Sequence, residues 1–244
     1  MSNPFRYTLV ETSTYRGYPV LFEPGNPSHS ALIKEALDRY IDQIEAITSH
    51  YSDVFLVRFD LHLPIPIGSD LIPADESNRR VSQLFQILKE NKFRQPIWSG
   101  QKIKKSAYGW CNELETRKQL HYHCWVAVPK GRVENAGSIR KREDGSYDLY
   151  GLIGTVFGIW QQLNPEGYAH VQCNALDSKR IKSNSPDDLG EAIKWISYLT
   201  KVRGKVTFED DDGDPIRVRR FDGSRLKPAP KPQEQADKLT EMAG

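Results

Sequence analysis

Apolar residues along the chain follow two rhythms, one of three to four residues and one of two, and the switches between them mark the elements. From Ser28, the stretch SHSALIKEALDRYIDQIEAITSHY sets Leu32, Ala36, Tyr40, Ile44 and Ile47 on one side of a helix, with a serine placed to cap it. Residues 54–63, VFLVRFDLHL, alternate instead: Phe55, Val57, Phe59, Leu61 and Leu63 take one face, Arg58, Asp60 and His62 the other. That period of two predicts a half-buried strand, closed by the prolines of PIPIG. A helix follows over 77–93, with Val81, Leu84, Phe85 and Leu88 as its stripe. Residues 107–115 and 120–128 read as a β-hairpin turning through TRKQ, 152–163 as a helix stopped at NPEG, and 168–174 as a short strand.

The last helix is the best punctuated. In SPDDLGEAIKWISYLTKVRG (185–204), Ser185 stands at the N-cap, Pro186 at the first helical position, Asp188 in place to complete a capping box, and Gly204 as terminator. The order helix, β-α-β-β-α-β, helix predicts an α+β protein with a ferredoxin-like (RRM-like) antiparallel sheet, helices on one face and an extra N-terminal helix. In that arrangement the first and third strands are central, the second lies beside the third, and the face away from the helices stays open. Three segments are expected: an N-terminal extension over 1–27, one domain over 28–208, and an acidic turn with a polar, proline-rich tail over 209–244.

Composition narrows the classes. With 244 residues, 38% hydrophobic and 27% charged, the chain can bury one large core. No run of about 18 uncharged apolar residues is present, and the first residues lack the apolar centre of a signal peptide, so no membrane partner is expected. Cys111, Cys124 and Cys173 match no zinc spacing and fit a reducing, cytoplasmic setting. The net charge of +2 is nearly balanced, but basic residues cluster at KIKK (102–105), RKR (140–142), KRIK (179–182) and IRVRR (216–220). Such clusters are either solvated loops or phosphate contacts.

Residues 120–128, LHYHCWVAV, put two histidines at alternate positions of a strand. His121 and His123 therefore share a face, while Leu120, Tyr122, Cys124, Val126 and Val128 take the face to bury. If the hairpin turn centres near Arg117, Glu113 lies opposite His121 and faces the same way; Glu115 has the same parity and replaces it if the register shifts. Two imidazoles and a carboxylate on one face suit a divalent cation such as Mn²⁺ or Mg²⁺, with positions left for substrate. An alternating polar face is equally what any half-buried strand shows.

In ISYLTK, Tyr198 and Lys201 are three apart and share a helical face with Lys194, four residues before the tyrosine. An ammonium beside a phenol favours the phenolate, the form that attacks. A tyrosine capping the apolar stripe of Ile193 and Ile196 is the plainer alternative. Asp60 and His62, with Arg58 on the same side, face the region of the histidines. Trp125 shares the His face, where it either stacks a base or packs under the last helix.

Histidine-apolar-histidine on a strand followed by Tyr-x-x-Lys on a later helix is more specific than either part. With FLVRFDLHLP, WCNE leading into LHYHCWVAV, and ISYLTK in that order over about residues 50–205, the chain resembles the HUH endonucleases that initiate rolling-circle replication. Within them it is most similar to the inovirus gene II-type initiators and the YagK/YfjJ-type domain proteins of prophages. The resemblance implies an HUH endonuclease fold and one divalent ion held by His121, His123 and Glu113, polarising a phosphodiester of single-stranded DNA at a replication origin. Tyr198 would attack phosphorus in line, giving a 5′-phosphotyrosine and a 3′-OH that primes synthesis, with Lys201 orienting or activating the phenol. Arg58, Asp60, His62, Lys194 and Trp125 would lie against the DNA, and a host helicase and polymerase in the bacterial cytoplasm would be partners. Lys194 stands where two-tyrosine initiators carry their second tyrosine, so the chain looks like a single-tyrosine enzyme. The alternatives are an HUH transposase, a relaxase-like nickase, or a non-catalytic DNA-binding replication regulator on the same scaffold.

Overall fold

Two strands that are apolar on both faces at one end and polar on one face at the other dictate the architecture. The computed structural model describes residues 7–26, 31–64, 72–93, 102–114, 120–133, 135–174, 177–202, 208–209, 215–216 and 218–230. Its main elements are α1 (Lys34–His50), β1 (Asp53–His62), α2 (Ala74–Ile87), β2 (Ala107–Leu114), β3 (Leu120–Pro129), β4 (Ser138–Lys141), β5 (Tyr147–Tyr150), α3 (Gly151–Leu163), β6 (His170–Gln172), β7 (Ser178–Lys182), α4 (Pro186–Ser197) and β8 (Phe221–Gly223). The protein is α+β, with one six-stranded sheet whose ladders are all antiparallel, in the order β6-β1-β3-β2-β8; β7 pairs with the other half of β1. β1 and β3 are thus central and β2 lies beside β3, as the order of elements predicts.

One face carries Phe55, Val57, Phe59 and Leu61 of β1 with Tyr122, Cys124, Val126 and Val128 of β3, and packs on α2 and α3. The other face was expected to stand open. Instead α1 and α4 cover its apolar half, where Val54, Leu56, Trp125, Ala127 and Cys111 join Tyr40, Ile44, Ile193 and Ile196 in a second core. The reason is legible after the fact: VFLV and CWVAV are continuous apolar runs, which signal burial on both faces. Trp125 is fully buried, edge-on to Tyr40 at 5.6 Å. It cannot stack a DNA base, which corrects its place among the DNA-binding residues. Gly109 of β2 leaves the space for it: a Cβ there would stand 2.5 Å from Trp125 Nε1 and 2.6 Å from Tyr40 Cε1.

Three local expectations change. α1 starts at Lys34 rather than behind Ser28, because Leu32–Ile33 is first held extended by pairing with Leu9–Val10. α4 begins as expected, Ser185 Oγ accepting from Asp188 N at 3.2 Å, but the Asp188 carboxylate caps Lys182 N rather than Ser185. It ends at Ser197 in one 3₁₀ turn, Tyr198–Thr200, rather than running on to Gly204, which lies outside the described residues. Finally, part of the stretch expected as a tail is sheet: β8 pairs with β2, and Asn112 of β2 donates from Nδ2 both to Asn78 Oδ1 of α2 (3.0 Å) and to the Arg219 carbonyl (2.9 Å). Among the described residues, no helix is long and apolar enough to cross a membrane.

Candidate metal centre and its tyrosine

The polar half of the second face begins where α1 ends its cover. There β3 presents His121 and His123, with Asp60 of β1 directly opposite His123, His62 of β1 opposite His121, and Glu113 of β2 opposite His121 from the other side. Hairpin parity had singled out Glu113, and the register of β2 on β3 puts it there; Glu115, the alternative, lies outside the described residues. One ligand atom from each of Glu113, His121 and His123 fits within 4.8 Å of the others.

The details suit a cation. His121 Nε2 and His123 Nε2 are 3.1 Å apart, and Glu113 Oε2 is 3.4 Å from His123 Nε2. Ligands at about 2.1 Å from an ion, at right-angle to tetrahedral positions, stand roughly 3.0–3.4 Å from one another. His123 Nδ1 is 2.7 Å from Asp60 Oδ1. An ionised carboxylate only accepts, so the ring donates there and turns the Nε2 lone pair toward Glu113 and His121, the usual outer-shell arrangement of a metal-binding histidine. The donor set, two imidazole nitrogens and a carboxylate oxygen on a sheet face, fits a divalent ion.

Burial alone would raise the pKa of Asp60, but the hydrogen bond and charge of His123 outweigh it and hold the carboxyl below its usual range. Burial would lower His123, but hydrogen bonds to Asp60 and Glu113 outweigh that and raise it. His121, by contrast, is pushed down to about 4, by burial first and by its neighbour His123 second. Without an ion the His121 ring is therefore neutral over the physiological range, while the two carboxylates favour a proton on His123 Nε2, the position a bound cation would take by displacing that proton.

The end of α4 delivers the tyrosine to this centre. Tyr198 and Lys201 were expected on one α-helical face; the 3₁₀ turn does the same work, since residues three apart eclipse in that geometry. Lys201 Nζ donates to Tyr198 Oη at 2.6 Å and lies 3.6 Å from Glu113 Oε1. Lys201 is buried, at 8% exposure, and a bridge between Leu32 and Lys201 fixes its backbone. The rings of His123 and Tyr198 are 6.3 Å apart. Asp60, Glu113, His121, His123, Tyr198 and Lys201 thus form one connected group.

Arg58 sits beside it rather than out in solvent. Its guanidinium covers the Tyr198 ring at 5.3 Å and the Trp195 ring at 4.8 Å, and Nη1 donates to the Trp195 carbonyl at 3.2 Å. Trp195, one turn before Tyr198, is a residue that sequence reasoning missed; an aromatic at i−3 of the tyrosine on the same helix was the available signal. Lys194 is exposed on α4. Tyr122 points to the opposite core and donates to Asn78 Oδ1 at 2.9 Å. Of the basic clusters, residues 140–142 end a hairpin, Arg142 pairing with Asp148, and residues 179–182 lie on β7, where Arg180 pairs with Asp53.

A family model described as the YagK/YfjJ C-terminal domain matches residues 23–211, a span that includes every member of this group. No curated protein and no solved structure matches the chain.

Proposed function

The chain belongs to the YagK/YfjJ C-terminal domain family, and from that premise and the geometry of its centre we propose that it is a metal-dependent single-strand DNA nickase on an HUH-type sheet, initiating rolling-circle replication. Mn²⁺ or Mg²⁺ held by His121, His123 and Glu113 would supply Lewis-acid polarisation of the scissile phosphodiester. The phenol of Tyr198 gives up its proton to solvent, and its oxygen forms a bond to phosphorus as the P–O3′ bond breaks. The leaving 3′ oxygen takes up a proton to give the 3′-OH, and the downstream strand stays on the tyrosine through its 5′ phosphate. Lys201 orients the phenol oxygen and offsets charge gathering on the phosphate. Asp60 holds the His123 ring in its tautomer and orientation. The 3′-OH would then be extended by a host polymerase, with a helicase opening the duplex, in the bacterial cytoplasm.

One contact chain carries the reading: Tyr198 Oη to Lys201 Nζ at 2.6 Å, and Lys201 Nζ to Glu113 at 3.6 Å. A core tyrosine capping an apolar stripe has no need of a buried ammonium shared with a carboxylate of a histidine pair. The test is a 3′-labelled, random-sequence pool of single-stranded DNA incubated with the protein in Mn²⁺ or in EDTA and separated by denaturing electrophoresis. A label that migrates with the protein in Mn²⁺ alone supports the proposal. Cleaved fragments without adduct would make the centre a hydrolytic nuclease, and intact DNA throughout would leave the non-catalytic regulator.

A further inference from the structure

A row of aromatic rings leads away from the metal centre across the sheet edge. His62 stacks on His121, centroids 5.5 Å apart and planes 9° apart, and His170, paired with His62 across the β6–β1 ladder, follows at 5.8 Å. Tyr168 is 6.1 Å beyond His170, and Tyr147 of β5 stacks on Tyr168 at 6.0 Å and 17°. Tyr168 is 52% exposed, so its ring is open to a ligand. Alongside it runs a groove of about 860 Å³ between the β4–β5 hairpin, α3 and β6, within the range of pockets that hold ligands. Lys141 and His170 stand on its walls, Gln172 and Asn174 offer amides, and the described residues that line it include no carboxylate.

Exposed rings that accept flat faces, a lining with a lysine and no carboxylate among the described residues, and direct continuity with the candidate metal centre describe one class of occupant. We propose that the ring row and groove form the track for one flank of the single strand whose phosphodiester enters the metal centre, bases stacking on Tyr168 and its neighbours and backbone phosphates meeting Lys141. A duplex has its base faces already covered and would gain nothing from the rings. The inference rests on the reading of the centre as a DNA-cleaving site.

Binding can be measured apart from cleavage, by fluorescence anisotropy of a 5′-fluorescein oligo(dT) twenty-mer in EDTA. Tyr168→Ala should weaken it at least about fivefold, the lower end of what one base stack contributes, while Tyr168→Phe, which keeps the ring, should bind within about twofold of wild type. His170→Ala, at an exposed position of β6, gives a second reading that does not depend on the packing of Tyr168. A 5-iodouracil-substituted oligonucleotide should photo-crosslink to Tyr168 or His170 on peptide mapping. If wild type binds the oligonucleotide and Tyr168→Ala and His170→Ala bind equally well, the strand runs elsewhere and the track is overturned. If wild type binds no single strand at all, the DNA reading of the centre falls with it.

Discussion

Replacing Asp60 with asparagine changes one charge in the hydrogen bond behind His123 and leaves every proposed ligand in place. Asp60 Oδ1 receives the Nδ1 proton of His123 at 2.7 Å, in a side chain only partly open to water. That bond fixes which nitrogen carries the proton and so leaves Nε2 facing Glu113 Oε2, 3.4 Å away, and His121 Nε2, 3.1 Å away. Loss of such an outer partner costs metal affinity about 10- to 100-fold, or roughly 1.4–2.7 kcal/mol. Asparagine can still accept the proton without the charge, so Asp60→Asn should fall near tenfold; Asp60→Ala, with no acceptor, should approach a hundredfold. The assay is Mn²⁺ binding followed by electron paramagnetic resonance of the ion left in solution, with His123→Ala as the reference for a lost ligand. Wild-type affinity in Asp60→Ala would refute the outer-partner role. A loss as complete as that of His123→Ala would make Asp60 a ligand itself.

The same structure sets further expectations. Gly109→Ala drives a methyl into Trp125 and Tyr40 and should cost about 1–3 kcal/mol in urea denaturation without altering Mn²⁺ binding; an unchanged midpoint would refute the packing. His121, held at about 4 against an unfolded value of ~6.5, contributes stability that is complete above pH 6.5 and lost as pH falls toward 4. His123, whose folded value is raised, contributes in the opposite sense, losing stability as pH rises through that value. In His121→Gln the stability difference from wild type should therefore move in favour of the variant between pH 6.5 and 4.5, and a difference constant across that window would rule out a buried neutral ring. Lys201→Met keeps the buried stem and removes the ammonium; adduct formation should slow by roughly 10²-fold without ceasing, and an unaffected rate would remove Lys201 from the chemistry.

Much of the centre was legible because strands obey parity. Once 120–128 and 107–115 were read as a hairpin, the period of two put Glu113 opposite His121, and the order of elements put the strand carrying Asp60 and His62 next to them. Tyr198 and Lys201 were legible from spacing even though the expected α-helix is a 3₁₀ turn, since i and i+3 meet in both. What was not legible came from packing between distant segments. The apolar half of the histidine face looked open because only one strand face was followed, whereas Trp125 fills the space left by Gly109 beneath Tyr40 of α1. β8 gave no period in three residues, and its place in the sheet depends on pairing with Gly109–Cys111 and on Arg219 meeting Asn78 and Asn112. The Arg58–Trp195–Tyr198 stack joins β1 to α4, two elements 137 residues apart at the Arg58–Trp195 bond, a separation no local pattern reveals.

The central claim is that the Tyr198 oxygen attacks DNA phosphorus at a centre held by His121, His123 and Glu113. Tyr198→Phe removes that oxygen and keeps the ring against Arg58 and His123. The direct measurement gives wild type and variant the same Mn²⁺ and the same 3′-labelled single-stranded pool, then denatures them and looks for label on the protein. Wild type should carry the label on the peptide containing Tyr198, while the variant binds Mn²⁺ and DNA as before and carries none. A labelled, denaturation-resistant adduct in Tyr198→Phe would contradict the account.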